Sequence, residues 1–208
     1  MGSETYKSYM MNRIAYFFVW LSRVTHCRGF GIQSPSVYQF VRYVLNEHYP
    51  YYAYEELRNR FPRQSFLDRK LCELYFRISN EQQGRCWLVC GTRGEDSLSE
   101  VMRVYVKAGC HHTSLYYWNA ESQMKLPSPP DIIYMKGTDS CRDYYQQLRP
   151  LLTDHSLLLV EDIRSRAGKK FWDELLADKT TGITLDLYYC GIVFFDRNRK
   201  KSNYIINF

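Results

Sequence analysis

A glycine turn and a pair of adjacent carboxylates, each closing a short apolar run, are the residues of this chain whose types and spacing could do chemistry. The turn is Gly91-Thr92-Arg93-Gly94, set between Cys86–Cys90 and a periodic segment opened by Glu95. A parallel sheet that turns through glycines into a helix can hold a nucleotide-like ligand against the backbone and the helix N-terminus. Here Arg93, Glu95 and Asp96 line the turn, and no acid ends the strand before it. The carboxylates are Glu161-Asp162, after the run 157–160, and an ammonium, Lys136, follows the run 131–135. Asp139 could act as a ligand or base, although Thr138 or Asp139 capping the next helix is the simpler expectation. Asp186 is expected to face outward by strand alternation. There is no Ser/His/Asp or Cys/His set with a nucleophile turn, and His155 falls in a loop.

The elements that must position these groups divide at about Gln83-Gly84. Residues 1–83 read as a Tyr-rich helical arm without a strand signal. Val37, Phe40, Val41, Val44 and Leu45 form one helical stripe, and Leu67, Leu71, Leu74, Tyr75 and Ile78 form another. Ser34-Pro35 offers a cap and a first-turn proline to the first helix. From residue 84 strands and helices alternate, the pattern of a mostly parallel α/β sheet. Strands are expected at 86–90, 113–118, 131–135 and 156–161, and helices at 95–108, 139–151 and 168–177. The runs 183–195 and 203–208, joined by a polar stretch, read as a terminal antiparallel hairpin.

The 208 residues suit one domain with an added arm, and a hydrophobic content of 45% with 24% charged residues is that of an ordinary globular protein. The run 14–21 is too short to span a bilayer and reads as a buried or partner-facing helix. A net charge of +6 permits an anionic ligand but does not call for nucleic acid. Seven cysteines without a C-x-x-C pair read as buried thiols in a reducing cytoplasm rather than a zinc site. His111-His112 beside Cys110 reads as a turn. Nineteen tyrosines give wide amphipathic surfaces, for packing the arm on the core or for a homodimer face.

Several blocks together resemble a family of small class I S-adenosylmethionine-dependent methyltransferases. The segment GFGIQSPSVYQFVRYVL with YYAYEEL at 51–57 is similar to that family's GIHSP-type N-terminal signature, and LLLVEDIRS with ITLDLYYCGIVFF to its final strands. The resemblance implies a Rossmann-like sheet with helices on both faces, a reversed last strand and S-adenosylmethionine over the carboxyl ends of the first strands. Cofactor contacts would then fall on Gly91, Thr92 and Gly94. The acid that accepts from the ribose hydroxyls is replaced by Trp118 or Asn119, with Glu121 a displaced substitute. Val89 likewise stands where the family carries an acid before the turn. Only residues 119–130, with Pro127, Pro129 and Pro130, join the second strand to the third, so one strand–helix unit is expected to be missing.

In relatives resembling catechol methyltransferases, carboxylates after two neighbouring strands bind a divalent cation. Glu161-Asp162 occupies one of those places and Lys136 the other, so no metal is expected. Lys136 would pair with Glu161 or Asp162 as a fixed positive charge, or simply reach solvent. The sequence thus implies a methyltransferase-like protein acting on a small-molecule hydroxyl or amine with weak or lost activity. The alternative is an inactive relative that binds a protein partner or serves as a scaffold.

Overall fold

The computed structural model describes residues 14–29, 31–91, 100–118, 126–196 and 200–208. A helix α1 spans 14–22, and α2 (Pro35–Phe40) runs on into one π-helical turn, Val41–Leu45. The helices α3 (Tyr52–Arg60) and α4 (Phe66–Gln82) complete the arm. The strands are β1 (Cys86–Cys90), β2 (Ser114–Trp118), β3 (Ile132–Lys136), β4 (Leu157–Glu161), β5 (Ile183–Asp186), β6 (Cys190–Phe194) and β7 (Ser202–Ile205). Between them lie α5 (Glu100–Gly109), α6 (Cys141–Leu148) and α7 (Arg166–Ala177).

Among the described residues one seven-stranded sheet forms in the order β2-β1-β3-β4-β6-β5-β7. The pairs β1–β2, β1–β3 and β3–β4 are parallel, and β6 inserts antiparallel between β4 and β5. The architecture is α/β and Rossmann-like, mostly parallel in its first half and mixed in its second. Alternation along the strands builds two cores. Trp87, Val89, Ile132, Tyr134, Leu157 and Leu159 face the arm helices and α5. On the other face, Leu88, Cys90, Ile133, Met135, Leu158 and Val160 meet α6 and α7. Helices therefore cover both faces, which is why these strands are apolar throughout rather than alternating.

The arm shares the first core, because both predicted stripes turn inward and Val37, Val41, Val44, Leu71, Leu74, Tyr75 and Ile78 are buried. Of the two expectations for the helix over 14–22, buried or partner-facing, the first does not hold. Ile14, Phe17, Phe18 and Leu21 are exposed, and the helix is held instead through Tyr16 and the adjoining Arg23.

Three further expectations need correction. The hairpin lies within 183–195, as β5 and β6, and β7 adds to the outer edge parallel to β5 instead of folding back on β6. Its turn holds Tyr188 at φ 74, with the Tyr188 amide donating to Asp186 Oδ1 at 2.8 Å, so an Asx-type turn does the work of a glycine. Ser34 sits at the start of α2, but its hydroxyl makes no cap bond; the proline alone marks the start. Neither Thr138 nor Asp139 caps α6, which begins at Cys141. There the Cys141 thiol donates to Lys136 O at 2.7 Å and accepts from the Thr138 amide at 3.4 Å.

Candidate functional site

The carboxyl ends of β1, β2, β3 and β4 lie side by side, because parallel strands carry their last residues to one edge. Gly91 follows β1 with φ 131, a conformation that L side chains rarely adopt, and its amide donates to Trp118 O at 2.9 Å. Thr92 and Gly94 of the same turn lie outside the described residues. So do Asn119 and Glu121, the other candidates for the cofactor's ribose.

Trp118 closes β2 and leans toward α6, where its indole donates to Gln147 Oε1 at 3.2 Å. An indole N–H donates only, so it cannot accept from a ribose hydroxyl. Trp118 thus offers no acceptor to a ribose hydroxyl, while Gly91 keeps the turn open.

The charged candidates are brought together at the ends of β3 and β4. Lys136 and Glu161 are register partners in the parallel ladder, and the Gly137 amide extends it by donating to Glu161 O at 2.8 Å. The end of β4 and the left-handed turn at Asp162 then separate the two carboxylates. Glu161 turns inward toward the arm and is only 9% exposed. Its Oε2 accepts from Tyr75 of α4 at 2.8 Å and from Tyr134 of β3 at 3.0 Å. Burial pushes the Glu161 carboxyl above its ordinary range, and Asp162 beside it adds to the rise, while the two tyrosines and Lys136 pull it back. Burial, and then Glu161 itself, hold both tyrosine hydroxyls well above their usual value.

Asp162 turns outward instead. It adopts the left-handed region at φ 57, with its amide on Tyr189 O at 2.9 Å, and its Oδ2 lies 4.0 Å from Lys136 Nζ. The backbone is locked behind it. Ser165 caps α7 by accepting from the Gly168 amide at 3.0 Å, and its own hydroxyl donates to Gly137 O at 3.0 Å. A side chain at Gly168 would meet Asp162 O at 2.2 Å, so only glycine lets α7 approach this strand end.

Asp186 does not face outward. Its Oδ1 pairs with Arg23 at 2.9 Å and its Oδ2 with Arg164, and both guanidiniums lie 5.1 Å from the Tyr188 ring centroid. Arg23 is 8% exposed and also donates to Asp186 O and Ile206 O. Asp139 is exposed at the surface, and His155, His111 and His112 lie in turns. Among the described residues no group of three His, Cys, Asp or Glu could hold a metal ion. Cys72, Cys86, Cys90, Cys110, Cys141 and Cys190 are free and buried.

Tyr75, Tyr134 and Arg23 are the partners of the charged candidates that the sequence pattern hides. Tyr75 reads as one more member of a core stripe. The available signal was that a buried tyrosine hydroxyl needs a partner and a buried carboxylate needs donors.

A parallel sheet with one reversed strand, covered on both faces, with a glycine turn after its first strand, is a Rossmann-like α/β fold. Among solved structures, the chain is similar to a cofactor-bound form of Rv0187 from MTB, at TM-score 0.51 and 10% identity over 70% of this chain and 89% of that one. It also matches TomG, an O-methyltransferase from Streptomyces achromogenes in complex with SAM, at TM-score 0.48 and 11% identity over 76% of this chain and 94% of that one. The MycE methyltransferase of the mycinamycin pathway, in complex with Mg and SAH, gives TM-score 0.42 and 15% identity over 74% of this chain and 51% of that one. No family model and no curated protein matches the sequence. Among the described residues, no helix is long and apolar enough to cross a membrane.

Proposed function

We propose that the chain is a methyltransferase-like protein, an arm over 1–83 on a Rossmann-like domain over 84–208, in which methyl transfer to a small-molecule hydroxyl or amine is weak or lost. The cofactor that this frame suits is S-adenosylmethionine. The observation that carries the reading is the sealed carboxylate: Glu161, the acid best placed at the strand ends, gives its Oε2 to two buried tyrosines. Glu161 is thereby turned into the core, and Lys136 on the neighbouring strand end repels a cation. Trp118 in place of an acceptor supports weak cofactor binding, because each lost hydrogen bond to a charged group costs roughly 1.5–3 kcal/mol. Asp162, exposed and next to Lys136, is the residue that a substrate could still meet.

A second reading, a binding or scaffolding module, is favoured by one observation. The outer face of α1 presents Phe17 and Phe18 at 54% and 63% exposure. Single-turnover transfer from radiolabelled S-adenosylmethionine to panels of phenols, catechols and amines, with and without Mg²⁺, tests the proposal. Transfer near background and indifferent to Mg²⁺ is expected. Rapid Mg²⁺-dependent transfer to any acceptor would overturn it.

A further inference from the structure

Away from the strand ends, the arm encloses a cavity of about 690 Å³ between α3, the outer face of α4 and the segment 45–52, with Phe208 at one side. That is a normal size for a small-molecule site. Tyr51 and Tyr54 form its aromatic wall, each packed at 5.1 Å on Phe76 behind them. Five charged residues of α3 and α4 line it, Glu55, Arg58, Lys70, Glu73 and Arg77. Arg58 pairs with Glu73 at 2.6 Å. Arg77, 6% exposed, donates to Val44 O at 2.6 Å, to Leu45 O at 3.4 Å and to the Tyr54 hydroxyl at 3.3 Å.

Lys70 is met least: like Arg77 it makes no ion pair among the described residues, but where Arg77 finds three oxygen acceptors Lys70 finds one hydroxyl. Its ammonium is hydrogen-bonded to the Tyr16 hydroxyl and sits 4.7 Å and 4.4 Å from the ring centroids of Tyr16 and Phe208. Among the described residues it makes no ion pair. An ammonium carries three donors, and a buried positive charge with no counter-charge is costly. Burial, with Arg77 along the helix, accordingly pushes Lys70 down to about 8, and Glu73 offsets only part of this. A second donor without an acceptor, Asn46 Nδ2, belongs to the same wall.

We infer that this cavity binds a small aromatic carboxylate, with the anionic group on Lys70 and the ring against Tyr51 and Tyr54. The enclosed groups left short of partners, Lys70 Nζ and Asn46 Nδ2, are donors, so a ligand that answers them brings acceptors and negative charge. Glu47 and Glu55 also line the cavity, and their like charge disfavours a dianion such as phosphate relative to a monoanionic carboxylate. The tyrosine wall calls for a flat apolar body rather than a bare ion. The site is separate from the strand-end corner and does not depend on how that corner is read.

Calorimetric titration of the full chain with 2-naphthoate, its neutral counterpart 2-naphthalenemethanol and inorganic phosphate tests this, repeated on Lys70→Met. For 2-naphthoate a dissociation constant on the order of 0.1–1 mM is expected, the range for a fragment of this size. It should bind about tenfold or more tighter than either comparison compound, the factor that one charge-assisted hydrogen bond supplies. Lys70→Met should lose that factor while its melting temperature holds or rises. Equal affinity for the alcohol, a preference for phosphate, undiminished binding by Lys70→Met, or no binding by the wild type would each overturn the inference.

Discussion

At the carboxyl end of the sheet the chain answers its charges from within, whereas in the arm cavity it leaves one open. Glu161 accepts hydrogen bonds from Tyr75 and Tyr134, Asp162 lies beside Lys136, and Asp186 is shared by Arg23 and Arg164. Lys70, half-buried, has only a hydroxyl and two ring faces. Internal pairing makes a corner structural, because a ligand must then displace partners that are already well placed. An unanswered charge does the reverse: it costs stability in the free protein and returns that cost when a ligand supplies the missing partner. The difference separates a strand-end corner that holds the fold from an arm cavity able to take a ligand.

The sharpest way to break this contrast is to turn a paired charge into an unpaired one. Asp186→Ala leaves Arg23 buried without its carboxylate and should cost about 3–5 kcal/mol. In chemical denaturation that loss would be seen as a large fall in midpoint; a change below about 1 kcal/mol would mean that the pair is decorative. Tyr75→Phe should cost less, about 1–3 kcal/mol, because Tyr134 still serves Glu161. A double-mutant cycle with Glu161→Gln checks that this loss comes from the carboxylate, since the coupling should shrink once the charge is gone.

Lys70→Met should act in the opposite direction. It removes a charge that the fold keeps at about 8 against an ordinary 10.5. Between those values the unfolded chain binds more protons than the folded one, so wild-type stability should rise with pH from about 8 to 10.5. The variant should lack that component and, at neutral pH, melt at the same temperature or higher by about 2–4 °C. The smallest effect belongs to Glu161→Gln. Its folded carboxyl is raised, so wild-type stability should decline as pH climbs from the ordinary carboxylate range through the folded value, and the variant should flatten that decline. Thermal melts of the pair from pH 4 to 8 check the sign; a wild type that gains stability from this group as pH rises would contradict the sealed-carboxylate account.

Much of the frame was legible because β1, β3 and β4 are unbroken apolar runs with polar or glycine boundaries, which only a doubly covered strand tolerates. The split of 183–195 into two strands was not legible. Leu187-Tyr188-Tyr189 carries no glycine or asparagine, and the turn depends on Asp186 bonding two residues ahead. The parallel pairing of β7 with β5 is likewise a long-range outcome that no local pattern encodes. At the strand ends, the inward turn of Glu161 follows from the strand period, whereas Asp162 lies past β4 at φ 57, and the Glu161 partner Tyr75 comes from eighty-six positions away. Lys70 was invisible for a simpler reason. A lysine on a helix usually reaches solvent, and only the packing of Tyr16 and Phe208 around it removes that route.

The central claim, that the strand-end corner is structural and no longer a competent transfer site, is met most directly by calorimetric titration with S-adenosylmethionine and S-adenosylhomocysteine, with and without Mg²⁺. Loss of the two acidic anchors that Val89 and Trp118 are expected to replace would weaken binding by about a hundredfold or more, so heats should appear only toward millimolar ligand and should not change with Mg²⁺. Micromolar binding that Mg²⁺ strengthens would contradict the account and return Glu161 and Asp162 to catalysis.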